Sequence, residues 1–348
     1  MKKIRQILSK VRWRERTVHY GNEYPDKQFY VIRRHANRAG LFSFAATNLG
    51  SILTAVEKGY LPVIDMQNSP NPMLTEAEVG KVNAWDRYFL PPCGYTLADI
   101  AHAKNVTLGV ITPPENEFYP DYKMILNSEE LRMWREAAGK YLHVRPEIQS
   151  KIDVFCREEF GYSENKEETI TVPAEKTAGD ERDAECRPQR KVLGVLCRGT
   201  DYVRSKPYNH PMQPGTDAVI AKCRGVMSER HCDCIYLCTE DEEIWEQMNA
   251  AFPGKIYSYQ QRRFRLREGE NINDVANAGS SPYERNLEYL ISIGILARCS
   301  CLVAGAAGGT YGALLLTQGY EYEYVFKIGR YGTDEPQPGT WEYENAAR

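Results

Sequence analysis

The sequence has no apolar run approaching the ~20 residues that a membrane-spanning helix needs. Its start, MKKIRQILSKVRWRER, lacks the uninterrupted apolar core of a secretory signal. An excess of one charge sign is also missing: 44 Lys and Arg stand against 47 Asp and Glu, a net charge of −3. That balance gives no electrostatic basis for holding nucleic acid. Neither a P-loop ending in Gly-Lys-Ser/Thr nor a G-x-G-x-x-G fingerprint occurs, which disfavours ordinary nucleotide triphosphate and dinucleotide sites. No internal repeat is visible. Ten cysteines are present, but a chain of 348 residues needs no disulfide framework. The cluster Cys232, Cys234 and Cys238 has no Cys/His pair at zinc spacing beside it, so CDCIYLCT reads as a buried strand whose thiols act as small apolar groups. No metal is expected, and reduced thiols point to the cytoplasm.

What remains is ordinary globular material, 42% hydrophobic and 26% charged, in a length that favours two domains. FYVIRRH (29–35), the helix-like FSFAATNLGSILTAVEKG and YLPVID, ending at Asp65, form a strand–helix–strand unit and hence a parallel sheet. KNVTLGVIT (104–112) reads as a further strand, followed by helices near 128–141 and 146–159. Residues 163–190 are dense in charge and poor in core-forming side chains, which predicts a linker or surface insertion. Strand and helix then alternate again: VLGVLC, a helix over 215–229, CIYLCT, EEIWEQMNAAF, KIYSY, a helix over 283–298, SCLVAG and GGTYGALLLTQG. The fold class is therefore α/β, with two Rossmann-like domains, 1–162 and 191–348, facing a central cleft. Residues 1–16 read as a basic amphipathic helix, either packed on the domain or touching an anionic membrane surface.

Open α/β sheets bind ligands beyond the carboxyl ends of their strands, and three such ends carry chemistry. Arg198 follows VLGVLC, with Gly199 permitting a tight turn; an arginine fork suits phosphate oxygens, and pairing with Asp201 is the structural alternative. In CLVAGAAGGTYGALLL (301–316) a strand passes through Ala307, Gly308 and Gly309 into a helix that Thr310 can cap, and open amides at a helix start attract an anion. Small residues there also allow close helix–strand packing. In CTEDEE the group Thr239, Glu240 and Asp241 either meets the dipole of the next helix or bonds a ribose or base. Together the three ends predict a nucleotide-diphosphate site.

The order VLGVLCRGTDY, IYLCTED, ARCSCLVAGAAGGTYGALL resembles the fucosyltransferase superfamily, which includes the protein O-fucosyltransferases and the α-1,6-fucosyltransferases. RAGLFSFAATNLGSILTAVEKGYLPVIDMQN and NAWDRYFLPP look like its bacterial members. The resemblance implies a GT-B fold and metal-independent, inverting transfer of a sugar, with fucose expected, from a GDP-sugar to a glycan hydroxyl. It implies an oligosaccharide or polysaccharide acceptor and a setting in bacterial polysaccharide biosynthesis, in the cytoplasm or at the inner membrane face. By position, Arg198 matches the arginine on the β-phosphate, with Asp201 ordering its loop. Thr239, Glu240 and Asp241 match the second motif, and Ala307, Gly308, Gly309 and Thr310 the diphosphate cradle. Leu196 stands where many members have histidine, and Ser292 where an aspartate reads guanine; Glu288, one turn earlier, is the expected substitute.

For the base that takes the acceptor proton, Asp65 and His35 each end a strand of the first sheet, with Glu23 and Asp86 behind them. Capping a loop and packing near a turn are their structural alternatives. Arg33, Arg34 and Arg38 could reach phosphates across the cleft or form a solvated rim. Asn48 and Trp85 are acceptor-sugar candidates, with core packing the alternative for Trp85. A non-catalytic glycan- or nucleotide-binding protein on the same scaffold is the rival function.

Overall fold

The computed structural model describes residues 14–36, 39–110, 118–121, 124, 127–162, 189–199, 203, 206, 208–259, 262–265 and 281–333. In the first half, β1 (Arg16–Val18), β2 (Phe29–Arg33), α1 (Leu41–Glu57), β3 (Leu61–Asp65) and β4 (Val106–Leu108) build a four-stranded sheet of order β1-β4-β2-β3. The strands β3, β2 and β4 run parallel, and β1 closes the edge antiparallel to β4. Most of the basic helix expected over 1–16 lies outside the described residues; its last residue, Arg16, instead begins β1 and pairs with Leu108. A three-residue backbone pairing satisfies those amides, and no sequence period of 2 or 3.6 is readable over so short a stretch.

Helices α2 (Ser128–Tyr141) and α3 (Pro146–Phe160) lead to the second half. Asn127 caps α2 by accepting from the Glu129 and Glu130 amides, and Pro146 opens α3 at a position where no N–H is needed. The charged stretch 163–190 lies outside the described residues apart from Gln189 and Arg190.

The second sheet is built from β5 (Val192–Leu196), β6 (Cys234–Cys238), β7 (Ile256–Tyr257), β8 (Cys301–Gly305) and β9 (Tyr322–Phe326), with helices α4 (Thr216–Arg230), α5 (Glu242–Ala251), α6 (Pro282–Ala297) and α7 (Gly308–Leu316) between them. Its order is β7-β6-β5-β8-β9, and every pair is parallel. Strands β5, β6 and β8 are buried along their whole length, as parallel strands covered on both faces must be. The cysteines of CDCIYLCT are buried in or beside β6, and burial pushes the Cys232 and Cys238 thiols up to about 12. The α/β class with two sheets matches the expectation; the first sheet is mixed rather than all-parallel, because β1 joins its edge antiparallel.

One apolar cluster joins the halves, running from Ile32 and Ile64 through Leu49, Trp134 and Ile152 to Leu196 and Leu302. Helix α3 packs on α6 so closely that a Cβ on Gly294 would lie 2.2 Å from Ile152 Cδ1. Helix α7 packs against α1 and α2 of the first half and α6 of the second. A Cβ on its Gly312 would lie 2.4 Å from the Phe42 ring of α1, and Arg135 of α2 donates to the Leu314 carbonyl at 2.8 Å while pairing with Glu323. No helix among the described residues is long and apolar enough to cross a membrane.

Candidate functional site

The strand order fixes where a ligand can enter the second sheet. From β5 the chain moves outward to β6 and β7, then returns to the other side of β5 as β8. The two flanking connections therefore leave β5 and β8 in opposite directions, opening a crevice beyond their carboxyl ends. Leu196 and Ala304 are register partners there, on strands separated by roughly 5 Å. Arg198 lies two residues beyond one strand end, and the turn Ala306–Ala307 lies beyond the other.

The exits touch one another. Gly199 lies against Asp241, where a Cβ would come within 2.1 Å of Asp241 Oδ2, so only glycine lets the β5 exit pass the β6 exit. Gly309 lies over Leu196 and beside Tyr289 and Ile293 of α6, with a Cβ position 2.6–2.9 Å from all three. Leu196 is thus a core residue beneath the first turn of α7. Gly308, by contrast, faces open space. Ala307 is the extended N-cap of α7, and no side chain caps this helix. Its leading amides carry the positive end of the helix dipole toward the crevice.

Arg198 is about one-fifth exposed, and its Nε donates to Glu240 Oε1 at 3.1 Å. Glu240 is thus an ion-pair partner that orients the guanidinium; Asp201, offered by the sequence for that part, lies outside the described residues. Thr239 is buried and accepts from the Asp241 amide at 3.2 Å. Asp241 caps α5, accepting from the Glu243 and Ile244 amides. The Thr310 hydroxyl donates back to the Gly305 carbonyl, tying α7 to β8. Glu288 sits on α6 with its carboxyl pushed up by burial, and Arg262 opposes that shift. Among the described residues no group of three or more His, Cys, Asp or Glu side chains is placed to hold a metal ion.

The carboxyl edge of the first sheet is organised differently. Asp65 is buried; its Oδ1 accepts from the Gln67 and Asn68 amides and its Oδ2 from Asn68 Nδ2, all at 3.0 Å. Arg33 donates to the Gly109 carbonyl through Nε at 2.8 Å, and Arg34 to the Ser43 carbonyl and Thr47 hydroxyl of α1. Arg38 lies outside the described residues. His35 is exposed beyond β2, as is Glu23 near the opposite end of that strand. Asp86 accepts from Asn83 Nδ2, and burial pushes its carboxyl up. Asn48 is 2% exposed, its amide against Met66 Sδ at 3.7 Å. Trp85 is 1% exposed, packs on Phe89 with ring centres 4.6 Å apart, and donates from Nε1 to the Leu90 carbonyl. Its indole face is core, with no side presented to a sugar.

One residue that the sequence did not single out belongs to the crevice. Gln213, in the connection leaving β5, donates from Nε2 to the Ala306 carbonyl at 2.7 Å. No motif marks it, because its partner is 93 positions away.

No protein-family profile matches the chain, and no curated protein does. Among solved structures, the NodZ α-1,6-fucosyltransferase soaked with GDP-fucose matches at 16% identity and a TM-score of 0.43, over 84% of this chain and 93% of that one. NodZ from Bradyrhizobium matches at 15% and 0.42 over 84% and 93%. POFUT1 in complex with GDP-fucose matches at 10% and 0.36 over 87% of this chain and 75% of that one. The chain is structurally similar to these proteins at low sequence identity.

Proposed function

We propose that the protein is a glycosyltransferase that moves a sugar from a GDP-sugar, with GDP-fucose the expected donor, to a hydroxyl of an oligosaccharide or polysaccharide. The observation that supports this most is the pairing, at one topological switch point, of Arg198 after β5 with the uncapped start of α7 after β8. A fixed guanidinium and a set of helix amides beside one crevice suit a diphosphate. The R-G-T-D core and the Gly-Gly-Thr turn add the sugar-nucleotide resemblance. In this reading the diphosphate lies between Arg198 and Gly308–Gly309, and Glu288 meets the base.

The chemistry follows from where charge appears. As the anomeric carbon–oxygen bond breaks, negative charge builds on the β-phosphate, and a guanidinium and amides fixed in advance stabilise it more in the transition state than in the ground state. The acceptor hydroxyl attacks the opposite face of the anomeric carbon, giving inversion, and its proton passes to a base. His35, exposed beyond the carboxyl end of β2, is assigned that part. The reading calls on no metal ion.

A thermal-shift panel of nucleoside diphosphates and their sugars tests it. GDP-fucose should raise the melting temperature most, since a ligand that binds only the folded state stabilises it by mass action. Indifference to every nucleotide would overturn the assignment and favour a glycan-binding protein on this scaffold.

A further inference from the structure

We propose that Gln213 is a positioning residue that fixes the amide cradle of α7 by holding the turn after β8; the proposal rests on the donor-site reading above. Gln213 lies in the connection that leaves β5 after Arg198. Its Nε2 donates to two carbonyls, Ala306 at 2.7 Å and Pro211 at 3.2 Å. Ala306 is the first residue past β8, and Ala307 is the N-cap of α7. One side-chain amide therefore ties the turn at 306–307 to the far end of the connection that leaves β5. The exchanged amide orientation would set oxygen against two carbonyl oxygens, so the partners fix the nitrogen.

Two further features suggest that more than packing keeps a glutamine here. Its Oε1 is buried and has no hydrogen-bond partner. A buried acceptor left unpaired is costly, and an apolar side chain of similar shape would avoid that cost. The bridge is also tight: a Cβ on Gly305 would lie 2.4 Å from Oε1, so β8 ends in glycine to let the amide reach Ala306. The segment carrying Gln213 is itself tied down on its other side. The Met212 amide donates to the Gly329 carbonyl at 2.9 Å, and Pro211 bridges Arg330. The amide thus connects the turn at 306–307 to an anchored support.

The test compares wild type with Gln213→Met, which keeps shape but removes the donor, and Gln213→Glu, which turns the donor into an acceptor. Binding of GDP and of guanosine is measured by calorimetry, and amide hydrogen exchange is followed at Gly308 and Gly309 without ligand. The expected result is a GDP affinity weakened about fivefold to tenfold in Gln213→Met, the usual worth of one hydrogen bond. The loss should be larger in Gln213→Glu, with guanosine binding unchanged in both. Exchange at Gly308 and Gly309 should quicken while that of β8 stays at its wild-type rate. Equal losses for GDP and guanosine, unchanged GDP binding, or failure of both variants to fold would overturn the proposal. If wild type binds no GDP, the donor reading fails instead, and the exchange rates alone decide the part of Gln213.

Discussion

The two sheets treat polar groups at their carboxyl edges in opposite ways. At the edge of the first sheet, Asp65 bonds within its own loop, Arg34 to α1 and Arg33 to the Gly109 carbonyl beyond β4, and Asn48 and Trp85 are buried. At the edge of the second, the strand exits contact one another through glycines, α7 begins without a side-chain cap, and Arg198 is held partly exposed by Glu240. Polar residues at a strand end therefore do not by themselves make a site. Both sheets reverse strand order, β4 returning on the far side of β2 as β8 does on the far side of β5; what distinguishes the second edge is the uncapped start of α7 beside a partly exposed arginine.

Mutations can break or sharpen this contrast. Arg198→Ala should lower sugar-nucleotide turnover by at least ~100-fold with the fold intact, the scale expected for one fixed charge donor; circular dichroism and a hydrolysis assay check it. Arg198→Lys should also be poor, because an ammonium does not reproduce the fork. Next in size is Glu288→Gln. Burial raises the Glu288 carboxyl, so its charged form, which would accept two guanine N–H groups, is lost earlier than usual as pH falls. Preference for GDP over UDP should therefore be full at alkaline pH and drop about tenfold on acidification, whereas the variant shows a weak, flat preference. At the other edge, Asp65→Ala should cost about 1–2 kcal/mol of stability by leaving two loop amides without an acceptor. Its GDP affinity, measured by calorimetry, should stay near that of wild type. The smallest effect is expected from Gly308→Ala, whose Cβ meets nothing within 4 Å. Its melting curve should move by no more than about 0.5 kcal/mol, as at an ordinary surface position.

The sequence is most legible where one residue type answers one physical demand. Long apolar runs such as VLGVLC and CIYLCT announce buried parallel strands, and the glycines at 199 and 309 mark close approaches of neighbouring segments. Strands β1 and β9 escaped notice because RTV is too short to show a period and YEYVF mixes tyrosine with glutamate. In the site, Arg198 is visible from its position, but its partner Glu240 is 42 residues away. The part taken by Asp65 depends on how the 66–68 loop doubles back, which local composition does not encode. Trp85 resembles a sugar platform in sequence because indoles serve both ends; only the surrounding Phe89 and Leu90 show that it belongs to the core.

Helix α7 has a mechanical consequence beyond its first turn. Its middle rests on Phe42 and its far end is gripped by Arg135, so the rod that would greet an incoming anion is bolted to the opposite lobe at two further points. Any rocking of one lobe against the other must then tilt that rod, and a guest pressing on its tip would in turn resist the rocking. On the proposed function, seating of the donor and the angle between the lobes would thereby be a single motion.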